Sequence, residues 1–339
     1  MKKIALEEAV LIPGAEKIVP EHLTHLEFKD NMKVLLDITD ERLRAMDDGE
    51  IEISVLSTTC PGLQGLDGAS AADASNIARQ WNDYLAGAVA KHEDRLKVLA
   101  SLPMRNPQVA AQELTRAVKE LGFVGAMING YDNSGGGKPS YYDAPEYVDF
   151  WKTAAALDVP IYVHPRSVPD NRATTYSDYP ELRGASWGFH IETGEHMLRL
   201  IMSGLFDQVP DLRIIIGHLG EFLPLWAWRI DHRIQREGWD KWAADHQRPR
   251  KLTVTEYLRR NFYVTTSGMF DTASLKHTVS VMGADRVMYA VDYPYESTTE
   301  ANEWFESVDL DPAAKRAIGY LNAVRVLKLP QPEPAGFVR

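Results

Sequence analysis

The chain has 339 residues, 45% of them hydrophobic and 25% charged, which is enough apolar material for a large core beneath an ordinary soluble surface. Its formal charge of −11 argues against nucleic acid or an anionic membrane as a partner; a small anionic substrate stays admissible, because a metal ion or an arginine reverses the field locally. The single cysteine, Cys60, excludes an internal disulfide and a cysteine metal cluster, and no apolar run reaches the length of a membrane span. Glu7 and Glu8 interrupt the apolar start, so the N-terminus does not read as a signal peptide, and the expectation is a cytoplasmic protein.

In chain order, the first predicted strand is KIAL (3–6), which ends at Glu7 and Glu8. A helix over 40–49 follows, with Asp40 as its N-cap. Strands ISVLST (53–58) and LKVLASL (96–102) each precede a helix, over 70–92 and 107–121. FVGAMI (123–128) runs into Asn129 and a helix over 142–157, and PIYVH (160–164) ends in His164 before a helix over 191–207. LRIIIGH (212–218) ends in His218 and leads to a helix over 220–236. FYVTT (262–266) precedes a helix over 271–283, and RVMYAV (286–291) runs into Asp292 before a last helix over 312–326. Segments 10–36, 60–69, 133–138, 167–185 and 239–251 read as loops. The strand candidates are apolar on both faces, as parallel strands under helices are. Eight of them alternating with helices predict an α/β fold, a (β/α)8 TIM barrel forming one domain over 1–339.

In such a barrel the chemistry lies at the C-terminal ends of the strands. One polar residue there is usually a turn former. Five together are another matter: Glu7 or Glu8, Asn129, His164, His218 and Asp292. The eighth strand neighbours the first, so Asp292 and a glutamate would face two imidazoles across one mouth. Buried carboxylates need a counter-charge, and oxygen and nitrogen donors without sulfur suit Mg²⁺, Mn²⁺ or Zn²⁺. Side-chain alternation lets only one of Glu7 and Glu8 face the axis, and counting along the strand leaves both open.

The segments IALEEA, LGFVGAMING, YVHPR, ETGEHMLRLIMSGLFD, GHLGE, TTSG and DYPYE together resemble the amidohydrolase superfamily over nearly the whole chain. They are most similar to its nonoxidative hydroxybenzoate decarboxylases, those of γ-resorcylate, 2,3-dihydroxybenzoate, salicylate and 5-carboxyvanillate. The resemblance implies that Glu7, His164 and Asp292 hold one divalent metal, that Asp292 also lies near the reacting carbon, and that His218 pairs with Glu221 beside the substrate. It implies substrate contacts from Arg229, Asn129 and Phe189. Ala9 stands where part of the family has a metal-binding histidine. That makes the implied site oxygen-rich and shifts the expected ion to Mg²⁺ or Mn²⁺ over Zn²⁺, and with no lysine at the end of the fourth strand to bridge two metals a mononuclear site is expected.

The implied reaction converts an ortho-hydroxylated benzoate, of the dihydroxybenzoate type, to a phenol and CO₂, reversibly and with no organic cofactor. The ring carbon is protonated first, because direct loss of CO₂ would leave an aryl carbanion. The partners implied are a small aromatic carboxylic acid and further copies of the chain, as a homotetramer or dimer. The alternative on the same fold is a metal-dependent hydrolase of a lactone or amide. Among the remaining polar residues, His190 and His196 read as structural or peripheral, Glu8 as a salt-bridged strand end, and Cys60 as a small packed residue near the mouth.

Overall fold

The computed structural model describes residues 1–17, 26–66, 69–133 and 139–330. His22, His25 and most of the 133–138 loop lie outside them. The strands are β1 (Lys3–Val10), β2 (Ile51–Thr58), β3 (Leu96–Val98), β4 (Ala100–Ser101), β5 (Ala126–Asn129), β6 (Ile161–His164), β7 (Ile214–Ile216), β8 (Phe262–Thr265) and β9 (Val287–Met288). Neighbouring strands are parallel and follow chain order, β1 to β3 in one ladder and β4 to β9 in another. The predicted third strand is thus split at Leu99, whose N–H reaches back to Leu56 O at 2.8 Å while Ala100 N–H turns to Gly125 O at 2.9 Å. On the other side, β1 meets the end of β9 through an isolated parallel bridge, Leu6 to Ala290. Nine strands therefore trace the predicted ring, but no single ladder runs unbroken around it.

Alternation along these strands builds two cores. Ile4, Leu6, Val55, Leu99, Met127, Tyr162, Ile215, Tyr263 and Met288 form one cluster, the inward face of the ring. Their sequence neighbours Ala5, Leu56, Ile128, Ile161, Val163, Ile214 and Val264 join the other, packed against the helices. Each large apolar side chain so buried stabilises the fold by roughly 1.5–3 kcal/mol. The helix Asn322–Leu327 adds Ala323, Val324, Val326 and Leu327 to the inner cluster. It closes the floor near the starts of the strands, where Tyr320 Oη reaches Glu52. Chemistry is left to the opposite end.

The first predicted helix runs Asp40–Asp48 with Thr39, not Asp40, at the N-cap. Asp37 does the capping instead: its carboxylate accepts the N–H groups of Thr39, Asp40 and Glu41 at 3.1, 2.8 and 3.0 Å. Four helices of seven residues or more stand where none was predicted: Leu26–Leu36, Trp239–Asp245, Val254–Asn261 and Thr298–Ser307. They span seven to eleven residues. That is too short for apolar periodicity to stand out. No helix among the described residues is long and apolar enough to cross a membrane.

Candidate metal centre and catalytic dyad

β1 settles which glutamate turns inward. Ile4 and Leu6 belong to the inner cluster, so strict alternation would send Glu8 to the axis and Glu7 outward. The register with β2 slips by one residue between Ala5 and Glu8, and Glu7 takes the left-handed conformation, φ 63°. This is a β-bulge whose left-handed position holds a glutamate rather than a glycine. It swings Glu7 into the mouth. Glu8 is buried to the other side, where its Oε1 accepts Val291 N–H at 3.2 Å. Burial pushes the Glu8 carboxyl up to about 8 against the charge of buried Arg42, and no ion pair of Glu8 within 4 Å is found among the described residues.

Glu7 is 1% exposed. Its Oε2 accepts from Tyr162 Oη, and from Thr265 Oγ1 at 3.2 Å. Its Oε1 accepts no hydrogen bond among the described residues, with His164 Nε2 3.2 Å away. Burial, reinforced by Asp292, raises the Glu7 carboxyl above its ordinary value against the pull of His218 and His164. His164 Nδ1 donates to Pro165 O at 2.8 Å, which leaves Nε2 free to face the same point. Donor atoms of Glu7, His164 and Asp292 all lie within 4.8 Å of one another. An orphaned buried carboxylate oxygen, a free imidazole nitrogen and a second carboxylate fit a divalent cation, and the donor set is two oxygens to one nitrogen.

Gly217, two residues after inward-facing Ile215, makes room for this cluster. A Cβ there would sit 2.8 and 2.9 Å from the Glu7 carboxylate oxygens and 3.0 Å from Ser267 Oγ. After Gly217 the backbone enters an unusual run: His218, Leu219, Glu221 and Phe222 all have φ between 51° and 64°, with Gly220 among them. Asp292 has φ 80°. Non-glycine residues held this way cost of order 1–3 kcal/mol each, and here they crowd one site. The tight turn brings His218 Nδ1 to Glu221 Oε1 at 2.7 Å and points Nε2 toward Asp292 Oδ2 at 3.7 Å. Burial alone would lower the His218 imidazole; Glu221 and Glu7 outweigh it and raise it well above its ordinary value. Burial would likewise raise Glu221, but His218 and His190 hold it down to about 2.

His164, His218 and Asp292 open onto a cavity of about 510 Å³, also lined by Phe189, Cys60 and Arg183. Burial pushes the Cys60 thiol up to about 12, which makes it a packed wall and not a nucleophile. Asn129 ends β5 and is 1% exposed, its N–H donated to Gln64 Oε1 at 3.0 Å, and it does not line the cavity. Arg229 does not line it either. It sits on the exposed face of the helix Leu223–Glu237, one turn from Leu225 and Trp226. His196 is fully buried and pushed down to about 3, a neutral core imidazole that accepts Tyr142 N–H at 3.4 Å.

Two participants escaped sequence reasoning. Tyr162 lies two residues before His164, so period-2 alternation was a signal for it. His190 had no local signal at all: its Nδ1 meets Glu221 Oε2 at 2.5 Å across 31 residues of chain.

A parallel ring with a carboxylate–imidazole–carboxylate cluster at the strand ends defines a metal-dependent barrel enzyme class. The chain belongs to the amidohydrolase family, which its sequence matches over residues 24–329. It is 42% identical to the γ-resorcylate decarboxylase of Polaromonas sp. strain JS666, over 96% of this chain and 98% of that one. It superposes on a crystal structure of a dihydroxybenzoic acid decarboxylase from the same strain, with bound manganese and 2-nitroresorcinol. The TM-score is 0.88 at 41% identity, covering 99% of both chains. A 2,6-dihydroxybenzoate decarboxylase in complex with 2,6-dihydroxybenzoate gives a TM-score of 0.89 at 41% identity, covering 97% of this chain and 100% of that one.

Proposed function

We propose that the protein is a metal-dependent carboxy-lyase that converts a dihydroxybenzoate to a phenol and CO₂. The observation that carries this reading is the cluster of Glu7, His164 and Asp292 beside the His218–Glu221 pair, at the end of a cavity large enough for a substituted benzoate. Glu7, His164 and Asp292 would hold one divalent ion, Mn²⁺ or Mg²⁺ by the oxygen-rich donor set. Bound there, the ion supplies positive charge that orients the substrate carboxylate and ortho-oxygen and favours the phenolate.

The chain's own groups handle the protons. His218, held by Glu221, passes its Nε2 proton to Asp292, 3.7 Å away, which delivers it to the ring carbon that bears the carboxylate; the emptied Nε2 then takes the phenol proton. The carbon–carbon bond then breaks, its electron pair restores the aromatic ring, and CO₂ leaves. Phe189 packs against the ring, and Arg183 is the guanidinium within the cavity placed to meet a ring oxygen.

The exposed Leu225, Trp226 and Trp228, at 62, 54 and 71%, together with Arg229, form the face we assign to contact between copies of the chain.

The test is CO₂ release from a panel of 2-hydroxybenzoates by metal-stripped protein, with Mn²⁺, Mg²⁺ or Zn²⁺ added back. Activity that returns with one ion and requires the ortho-hydroxyl supports the reading. No CO₂ from any member, with metal shown to be bound, overturns it and leaves hydrolysis of a lactone or amide.

A further inference from the structure

We propose that His190 is a positioning residue that acts through Glu221, so that the dyad is a His–Glu–His triad. This rests on the carboxy-lyase reading for its activity readout, but the geometry stands apart from it. The Glu221 side chain has no exposure, and each of its oxygens faces one imidazole: Oε1 faces His218 at 2.7 Å and Oε2 faces His190 at 2.5 Å. A buried carboxylate needs both oxygens satisfied, and one left bare would cost about 1–3 kcal/mol or more. His218 alone satisfies one. His190 satisfies the other and thereby fixes the rotation of the carboxylate about its last bond.

That rotation decides what His218 does. With Oε1 aimed at Nδ1, the His218 N–H is committed to Glu221 and Nε2 is left for the cavity. Without the second donor, the carboxylate can turn, and the orientation of the His218 ring toward the cavity is no longer set.

His190 itself does not line the substrate cavity; its neighbour Phe189 does. It stands in the first turn of the helix Gly188–Met202, its ring 5.0 Å from Phe222 and 5.5 Å from His218, nearly perpendicular to the latter at 82°. On its outer side lies a second cavity of about 380 Å³, lined by His190, His218, Phe222, Met269 and His277.

The test uses His190→Phe, which keeps a ring against Phe222 but removes the donor, and His190→Asn, whose side-chain amide donates from nearly the same place. His190→Phe should lower kcat about 10- to 100-fold with KM changed less than threefold, as loss of an orienting partner does. His190→Asn should recover to within about threefold of the parent. Unchanged kcat in His190→Phe, or no recovery in a folded, metal-loaded His190→Asn, overturns the triad. Proton NMR of the resting protein gives a readout independent of turnover. Two far-downfield imidazole N–H resonances are expected, and His190→Phe should abolish one and shift the other. A His218 resonance unmoved by the substitution, or no such resonances in the parent, refutes the proposal even if the substrate assignment stands. Absence of CO₂ release by the parent, with both resonances present, would fault only the lyase reading.

Discussion

Tyr162→Phe isolates what a single oxygen does for the metal centre. The tyrosine is fully buried in the inner cluster, and its hydroxyl donates to Glu7 Oε2 while lying 2.8 Å from Thr265 Oγ1. Phenylalanine keeps the ring and its packing and removes only that donor. A hydrogen bond to a charged acceptor contributes about 1.5–3 kcal/mol. At 1.4 kcal/mol per tenfold, its loss weakens whatever depends on a fixed, ionised Glu7 by roughly 10- to 100-fold. Thr265 Oγ1, already 3.2 Å from the same oxygen, takes over part of the role, so the lower half of that range is expected. The assay is Mn²⁺ binding to metal-stripped protein, followed by the electron paramagnetic resonance of free Mn²⁺, for parent and variant side by side. An affinity within twofold of the parent, in a variant of unchanged circular dichroism, would refute the claim that Tyr162 orients a metal ligand.

Gly217→Ala tests the crowding behind Glu7. The backbone there, φ −74° and ψ −175°, suits any residue, so only the Cβ contacts at 2.8–3.0 Å are at stake; metal retained after dialysis should fall at least about tenfold while the fold persists, and full retention contradicts the packing argument. Addition of Mn²⁺ at about a hundred times its dissociation constant should stabilise the metal-free protein by about 2.7 kcal/mol. The thermal midpoint should rise by several degrees in the parent and not in Glu7→Gln, and an equal rise in both places the ion elsewhere. Glu192 gives a pH signature. Burial pushes its carboxyl from about 4.5 up to about 7, against the Tyr141 hydrogen bond at 2.6 Å and the Arg172 charge. The folded chain therefore keeps a proton there that the unfolded chain releases, and this contribution to stability falls as pH rises through that window. Glu192→Gln cannot titrate, so relative to the parent it should gain up to about 3 kcal/mol between pH 5 and 8; parallel pH profiles of the two thermal midpoints rule this out.

The strand positions were legible because both-faced apolar runs such as PIYVH and LRIIIGH have few other uses, and the ends of those runs carried His164, His218 and Asp292 into view. The helices Val254–Asn261 and Thr298–Ser307 could have been found as well, since TVTE and STTE are capping boxes in outline: Thr253 and Ser297 accept the N–H groups of Glu256 and Glu300 at 3.2 and 3.3 Å. What strand periodicity could not yield was the choice of Glu7. It depends on a bulge, a one-residue slip that is set by the fit of β1 against β2 and not by any residue type within the strand. The choice came instead from the resemblance of the LEE motif to a family pattern. His190 was hidden for a different reason. Its partner is 31 residues away, and only the approach of the helix Gly188–Met202 to the turn at 218–222 brings the two together. Arg229 stands on the outer face of its amphipathic helix, where Leu225 and Trp226 also lie; a basic residue is as much at home there as in a pocket, so the residue pattern carried no sign of which face it takes.

The run of left-handed residues from His218 to Phe222 bears on how this protein would respond to laboratory evolution. Leu219 and Phe222 hold φ of 54° and 64° without contributing a reactive group, so glycine at either would relax the backbone. The same change would remove Phe222 from beside His190, or Leu219 from the apolar wall of the second cavity. Leu219, however, is 4% exposed and packed in the core, so the roughly 1.5–3 kcal/mol its burial contributes offsets what glycine would release there. Phe222 is only partly buried: selection for thermal endurance alone would accept glycine at that position and erode turnover, whereas selection for turnover would keep the ring. The turn is thus a place where durability and catalysis compete for one residue.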